Sequence, residues 1–218
     1  MKIMSQIILD FGSGNTHKNK WDCLKRMIDE LKAIDTGKHE IIIKHQLFKV
    51  AGDNLPLDPW VFDAAYDYAK KLGYKTASSV FDKPSLDFLL KYDIPFVKIA
   101  NRRDLDWLIG EVPRKTLVYI SHGKIEEFFN SRYQDNIREL ICVSEYPSNI
   151  EKYQNIINEI ESLLACKLNL NISDHTIGLD LFKKYKPQIW EKHYKLNDST
   201  GLDAGPFAIT PEELSEIL

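Results

Sequence analysis

Cysteine is scarce in this chain. Cys23, Cys142 and Cys166 are the three residues of the type, odd in number and far apart. No CxxC pair occurs, which excludes a cysteine zinc site and a disulfide framework and points to reduced thiols in a cytoplasmic protein. Long apolar runs are missing too. IILDF, EIIIK and LVYI are far shorter than the ~20 residues a bilayer span needs, so no membrane partner is expected. The N-terminus, MKIMSQIILDFG, lacks the apolar run and cleavage site of a signal peptide. Neither charge sign dominates: 29 basic and 32 acidic residues leave a net charge of −3. With the charges well mixed there is no basic face for nucleic acid. No GxGxxG opens a helix, and the GSGN at 12–15 lacks the spacing of a dinucleotide loop or a P-loop. No linker or low-complexity tract divides the chain, so one domain over 1–218 is expected.

What the chain does contain is alternation. Short β-rich runs occur at 6–11, 39–46, 74–80, 95–100, 116–121, 138–145, 168–173 and 188–194. Helix-favouring stretches separate them. Residues 20–34 place Trp21, Leu24, Met27, Ile28 and Leu31 on one face at helical spacing. Residues 59–72 and 84–92 both start on proline, and the first ends before Gly73. Residues 150–164 read as a strong helix, whereas the connections around DLDWLIG and IGLDLFKKY are short. Thr210, Pro211 and Glu213 form a capping-box start for a last helix. Eight strand–helix repeats predict an α/β fold, a single-domain (β/α)8 TIM barrel, with an open doubly wound sheet as the alternative.

In such a barrel the active site lies at the C-terminal ends of the strands. Polar residues gather there: Asp10; Lys44 and Gln46; Ser78 and Ser79; Lys98 and Asn101; Ser121 and His122; Ser144, Glu145 and Tyr146; Ser173 and His175; Glu191 and His193. Lysines inside the apolar runs VKIA and IIKH are the more specific signal, because a buried ammonium needs an anion beside it. Lys44 and Lys98 with several hydroxyls make a cradle for a phosphate or carboxylate. Strands seven and eight are neighbours, so His175 and His193 are candidate ligands of one divalent metal. Glu191, two residues before His193, faces the same side as a third ligand or a proton-transfer group. His17, His39, His45 and His122 are read as solvated or locally satisfied, and Asp198, Thr200 and Asp203 as loop.

CVSEYPS at 142–148, SDHTIGL at 173–179, EKHYKL at 191–196 and TPEEL at 210–214 together resemble the sialic acid synthase family. KHQLF, SSVFD, KIAN and ISHG fit its earlier strand ends. The resemblance implies condensation of phosphoenolpyruvate with an N-acetylated sugar aldehyde such as N-acetylmannosamine, giving a 2-keto acid and phosphate. It implies a divalent metal, manganese first, with magnesium and cobalt as alternatives, held by His175 and His193. Ser79, Lys98, Ser121 and Ser173 would bind phosphoenolpyruvate, Lys44, Gln46 and Asn101 would line the same pocket, and Glu191 and Lys98 would serve the chemistry. A homodimer is a candidate assembly.

The chain also departs from the family. Asn101 replaces a serine, His122-Gly123-Lys124 replaces a TGM, and Asp10 shortens a glutamate. Phe207 and Ala208 stand where an Asp-His pair is usual, which removes polar contacts for a sugar. The family's bacterial members generally carry an antifreeze-like C-terminal domain, and none is expected within 1–218. Two alternatives therefore stand beside the synthase: a non-catalytic or regulatory barrel that binds phosphoenolpyruvate or metal, and a related synthase with a smaller acceptor.

Overall fold

The computed structural model describes residues 5–50, 52, 54–124, 135–166 and 169–218. Eight parallel strands close into a barrel in sequence order. They are β1 Gln6–Asp10, β2 Glu40–Leu47, β3 Lys75–Val80, β4 Val97–Ile99, β5 Val118–His122, β6 Ile137–Cys142, β7 Asn171–Asp174 and β8 Ile189–His193. This is the expected (β/α)8 architecture, and the open sheet is excluded by the β1–β8 pairing. Strand limits shift by a few residues from the sequence reading. Leu168, where the seventh run was expected to begin, lies outside the described residues.

Helices cover the outside. α1 Gly14–His17, α2 Trp21–Ile34, α3 Pro59–Lys71, α4 Lys83–Leu89, α5 Ile150–Leu164, α6 Asp180–Tyr185 and α7 Pro211–Ser215 alternate with the strands. Between β4 and β5 the crossover is a 3-10 helix, Arg103–Glu111. Five of the seven helices start on a side-chain cap, whereas α2 and α6 follow Lys20 and Leu179, which supply none. Asp58 and Asp82 accept backbone N–H groups ahead of proline-led α3 and α4. Thr210 and Glu213 form the reciprocal capping box of α7. The apolar stripe of α2, Leu24, Met27, Ile28 and Leu31, packs on outward strand residues such as Ile7, Leu9, Ile41 and Ile43. These are the odd-numbered residues of β1 and β2, as period-2 alternation requires.

Even-numbered residues of β1 and β2 point inward. Ile8, Ile42, Ala77, Phe96, Tyr119, Leu140 and Ile189 plug the lower barrel. Phe96 and Tyr119 stack there with ring centroids 4.0 Å apart. This dry floor closes the barrel below, so the polar layer above it opens only at the C-terminal mouth.

Candidate active site

Strand register fixes which side chains meet at the mouth. Asp10 pairs with Lys44 on one side and His193 on the other. Gln46 pairs with Ser79, and Ser79 with Lys98. Cys142 pairs with Ser173, and Ser173 with Glu191. Paired residues share a face, so all of these project into the barrel. They line a cavity of about 570 Å³, together with Ser121, Tyr146, His175, Asp203 and Phe207. The ten residues given site roles from the sequence line this cavity, Lys44, Gln46, Ser79, Lys98, Asn101, Ser121, Ser173, His175, Glu191 and His193, whereas the strand-end residues Ser78, His122 and Glu145 are not in its lining.

Their hydrogen bonds divide the two lysines. Lys44 Nζ lies 2.6 Å from Asp10 Oδ2 and 2.9 Å from Glu191 Oε1. It also donates to Ser79 Oγ at 2.9 Å. An ammonium has three donors, so Lys44 has none left for a ligand. Burial works against its charge, but Asp10 and Glu191 outweigh that and raise its pKa. Of the two lysines expected to form an anion cradle, Lys44 is thus already held by three acceptors. Lys98 Nζ donates to Ser121 Oγ at 2.7 Å and to the Ile99 carbonyl at 2.9 Å. Its closest carboxylate oxygen, Glu191 Oε2, is 3.6 Å away. Burial pushes the Lys98 pKa down, Glu191 only partly restores it, and the charge of Lys44 adds to the fall. A buried ammonium in that condition is stabilised by an incoming anion. Ser79 and Ser121 each accept from a lysine, which leaves their own protons to donate into the cavity.

Glu191 is likewise decided by its neighbours. Burial raises its pKa, but Lys44 and Lys98 bring it down to about 2. Oε1 is bound by Lys44, whereas Oε2 is buried with no hydrogen-bond partner. Glu191 is thus an ionised acceptor with one free oxygen, anchored toward the lysines.

The two histidines do come together. Their ring centroids are 5.6 Å apart. His175 Nδ1 lies 2.8 Å from the Val143 carbonyl and must donate to it, leaving Nε2 as the free lone pair. Burial, then the charge of His193, lowers the His175 pKa to about 3, so the ring is neutral. His193 Nδ1 faces Asp203 Oδ1 at 3.6 Å and Asp10 Oδ2 at 3.8 Å. Two imidazoles sharing a cation at about 2.1 Å per nitrogen have ring centres roughly 5–6 Å apart. Three carboxylates (Asp10, Glu191 and Asp203) and three cations (Lys44, Lys98 and Arg102) line the cavity, a formal balance. By its ring spacing the histidine pair fits a divalent ion that completes its shell with water or substrate. Among the described residues, no cluster of three or more His, Cys, Asp or Glu side chains forms a metal site. Tyr153 of α5 steadies this corner, accepting from His175 N–H at 3.1 Å and donating to the Ser173 carbonyl at 2.7 Å.

Several sequence readings change here. Asp203, taken as loop, belongs to the mouth: it accepts from Gln46 Nε2 at 3.0 Å and from Ser13 N–H at 3.2 Å. Gly12, with φ +73°, makes room for it, since a Cβ there would lie 2.8 Å from Asp203 Cβ. Nothing in the local pattern GLDAG gives that away, because Asp203 reaches Gln46 across 157 residues. The amide of Gln46 bridges Asp10 and Asp203, so it braces the rim. Asn101 donates to Ser144 at 2.9 Å and spans the end of β5. His17 and His45, expected to be solvated or locally satisfied, are buried, and none of their ring nitrogens has a hydrogen-bond partner.

Comparison with known proteins places this geometry. The NeuB family profile matches residues 44–218. N,N'-diacetyllegionaminic acid synthase of Legionella pneumophila is 24% identical over 70% of this chain and 47% of that protein. Pseudaminic acid synthase of Helicobacter pylori is 31% identical over 62% of this chain and 43% of its own length. The chain thus spans about half the length of the curated relatives it matches. A crystal structure of N-acetylneuraminic acid synthetase from Leptospira borgpetersenii, in complex with citrate, superposes with a TM-score of 0.77 at 23% identity. That match covers 96% of this chain and 80% of the other and carries the fold.

Proposed function

The chain belongs to the NeuB family, and from that membership we propose that it condenses phosphoenolpyruvate with a sugar aldehyde to give a sialic-acid-type 2-keto acid and phosphate. The observation that carries the reading is Lys98, a buried ammonium short of an anionic partner, with serine hydroxyls free to donate beside it. Its role is to hold the phosphate or carboxylate of phosphoenolpyruvate, with Ser79, Ser121 and Ser173 completing the cradle.

In the reaction the enol carbon of phosphoenolpyruvate forms a bond to the aldehyde carbon, and the aldehyde oxygen takes up a proton. Positive charge then develops on the carbon that bears the phosphate. Water adds there and gives up one proton, which balances the one taken up by the aldehyde oxygen. The resulting hydroxyl passes its second proton to the phosphate as the carbon–oxygen bond to phosphate breaks, and the 2-keto group remains. Lys98 and the serines fix the anion so that its enol face turns toward the histidines. Glu191, ionised and held by Lys44, offers Oε2 to orient the adding water. His175 and His193 would hold the divalent ion, manganese first, whose contribution is Lewis-acid polarisation of the aldehyde oxygen.

The test is phosphate release from phosphoenolpyruvate by metal-stripped protein with manganese restored and a panel of aldehyde sugars including N-acetylmannosamine. Release is expected only with metal and aldehyde together. His175→Ala and His193→Ala are each expected to abolish it while leaving the far-ultraviolet circular dichroism unchanged. Full activity in both variants would overturn the metal assignment.

A further inference from the structure

The mouth has two unlike walls. Lys98, Ser79, Ser121 and Asn101 make one side polar. Tyr146, Phe207 and Leu202 line the mouth as well and bring apolar surface against the histidine pair. Phe207 is the centre of the apolar wall. Its ring meets His193 edge-on at 5.0 Å between centroids and Tyr146 at 5.1 Å, with His175 at 6.5 Å. Tyr146 in turn lies over His175 at 4.1 Å. Any group that approaches both histidines meets these two rings.

The placement is rigid. Gly205 lets Phe207 fold back, because a Cβ there would lie 2.4 Å from Phe207 Cε1. Lys195 Nζ donates to the Ala204 and Gly205 carbonyls at 3.1 and 2.8 Å, which pins the turn. Beyond it, Ile209 N–H donates to the His193 carbonyl at 2.8 Å. Phe207 is 5% exposed and has no polar atom on its ring, so a hydroxyl pressed against it loses water without gaining a hydrogen bond.

Building on the synthase reading, we propose that Phe207, backed by Tyr146, is a specificity-determining residue. It selects aldehydes that carry an apolar group, a methyl or the methyl of an N-acyl, beside the reacting carbon, over aldehydes with a hydroxyl there. A single such contact separates otherwise matched substrates by roughly 10–200-fold.

Two matched pairs test this: lactaldehyde against glyceraldehyde, and N-acetylmannosamine against mannose. The wild type is expected to favour the apolar member of at least one pair by about 10-fold or more in kcat/KM. Phe207→Ser should remove most of that preference, while Phe207→Leu, still apolar, should keep it. The corresponding alditols, which cannot react, give an independent readout by saturation-transfer NMR. The acetamido methyl should receive the strongest transfer in the wild type and lose it in Phe207→Ser. Equal kcat/KM within both pairs, or a preference unchanged in Phe207→Ser, would overturn the proposal. If no aldehyde supports phosphate release, the synthase reading fails, and the alditol contacts still decide whether Phe207 forms a binding wall.

Discussion

Two buried charged clusters share the last turns of β7 and β8, one residue out of phase. Ser173, His175, Glu191 and His193 face the cavity, whereas Asp174, Trp190 and Lys192 face the helices. The outer cluster is closed on itself. Asp174 Oδ1 accepts from the backbone and hydroxyl of Thr176, both at 2.7 Å. Asp174 Oδ2 takes Trp190 Nε1 at 3.0 Å and lies 3.3 Å from Lys192 Nζ, which also donates to the Thr176 carbonyl at 2.5 Å. The inner cluster is open. Glu191 Oε2 and His193 Nδ1 are buried without hydrogen-bond partners, and Lys98, bonded to Ser121 and the Ile99 carbonyl, has its carboxylate no nearer than 3.6 Å. Burial alone therefore does not mark function. The mark is an incomplete set of partners among charged groups that face the mouth cavity; His17 and His45 are also unpartnered but do not line it.

The largest expected effect breaks the comparison from the inner side. Lys98→Met should lower the rate of phosphate release by about 10²–10³-fold, the loss typical of one buried donor to a charged reacting group. Its urea midpoint should stay near the wild type, because the removed charge was poorly paired. A variant that unfolds but keeps full activity per folded molecule would reverse the assignment of the two clusters.

On the outer side, Asp174→Ala leaves Lys192 buried and uncompensated and should cost about 3–5 kcal/mol of stability. Activity per folded molecule should survive, as read by urea titration beside initial rates. The double variant Asp174→Leu with Lys192→Met should recover part of that loss, because it removes both buried charges together.

A third buried polar group sharpens the contrast, since it carries no charge at neutral pH. Burial lowers the pKa of His45 to about 3 and of His17 to about 4. Their unfolded values are near 6.5, so the unfolded chain binds more protons between these limits. Their contribution is complete above about pH 6.5 and is lost as pH falls toward 4, at up to about 1.4 kcal/mol per pH unit for each group. His45→Leu should flatten the dependence of the urea midpoint on pH between 6.5 and 4.5. An unchanged slope would mean that His45 is not the group responsible.

The smallest effect is expected at Thr210, where Thr210→Ala removes the cap of α7 and should cost about 1 kcal/mol with little change in rate. It calibrates what an ordinary local defect does to this barrel.

Much of the fold was legible because its signals are local. Eight β-rich runs, the apolar stripe of α2, proline at the starts of α3 and α4, and the capping box of α7 each lie within a few residues of sequence. The inward set at the mouth was legible for the same reason: strand alternation puts Lys44 with Gln46 and Glu191 with His193 on one side. Lys192 escaped attention although it is as buried as Lys44, because alternation turns it away from the cavity and nothing local shows that Asp174 and the Thr176 carbonyl meet it there. Asp203 was invisible because its partners lie at the other end of the chain.

The sequence by itself determined the repeat, the barrel and the polar chemistry at the strand ends, because backbone period and side-chain type act over short distances. Only the tertiary structure decided which charges cancel. Closure of β1 against β8 brings Asp10 beside His193, while the register of β1 with β2 sets it against Lys44, where it takes up that ammonium. Lys98 is left short of a partner by the same packing. Whether a buried charge is a brace or a binding group depends on distances of a few ångströms between residues far apart in sequence, and those distances exist only once the barrel closes.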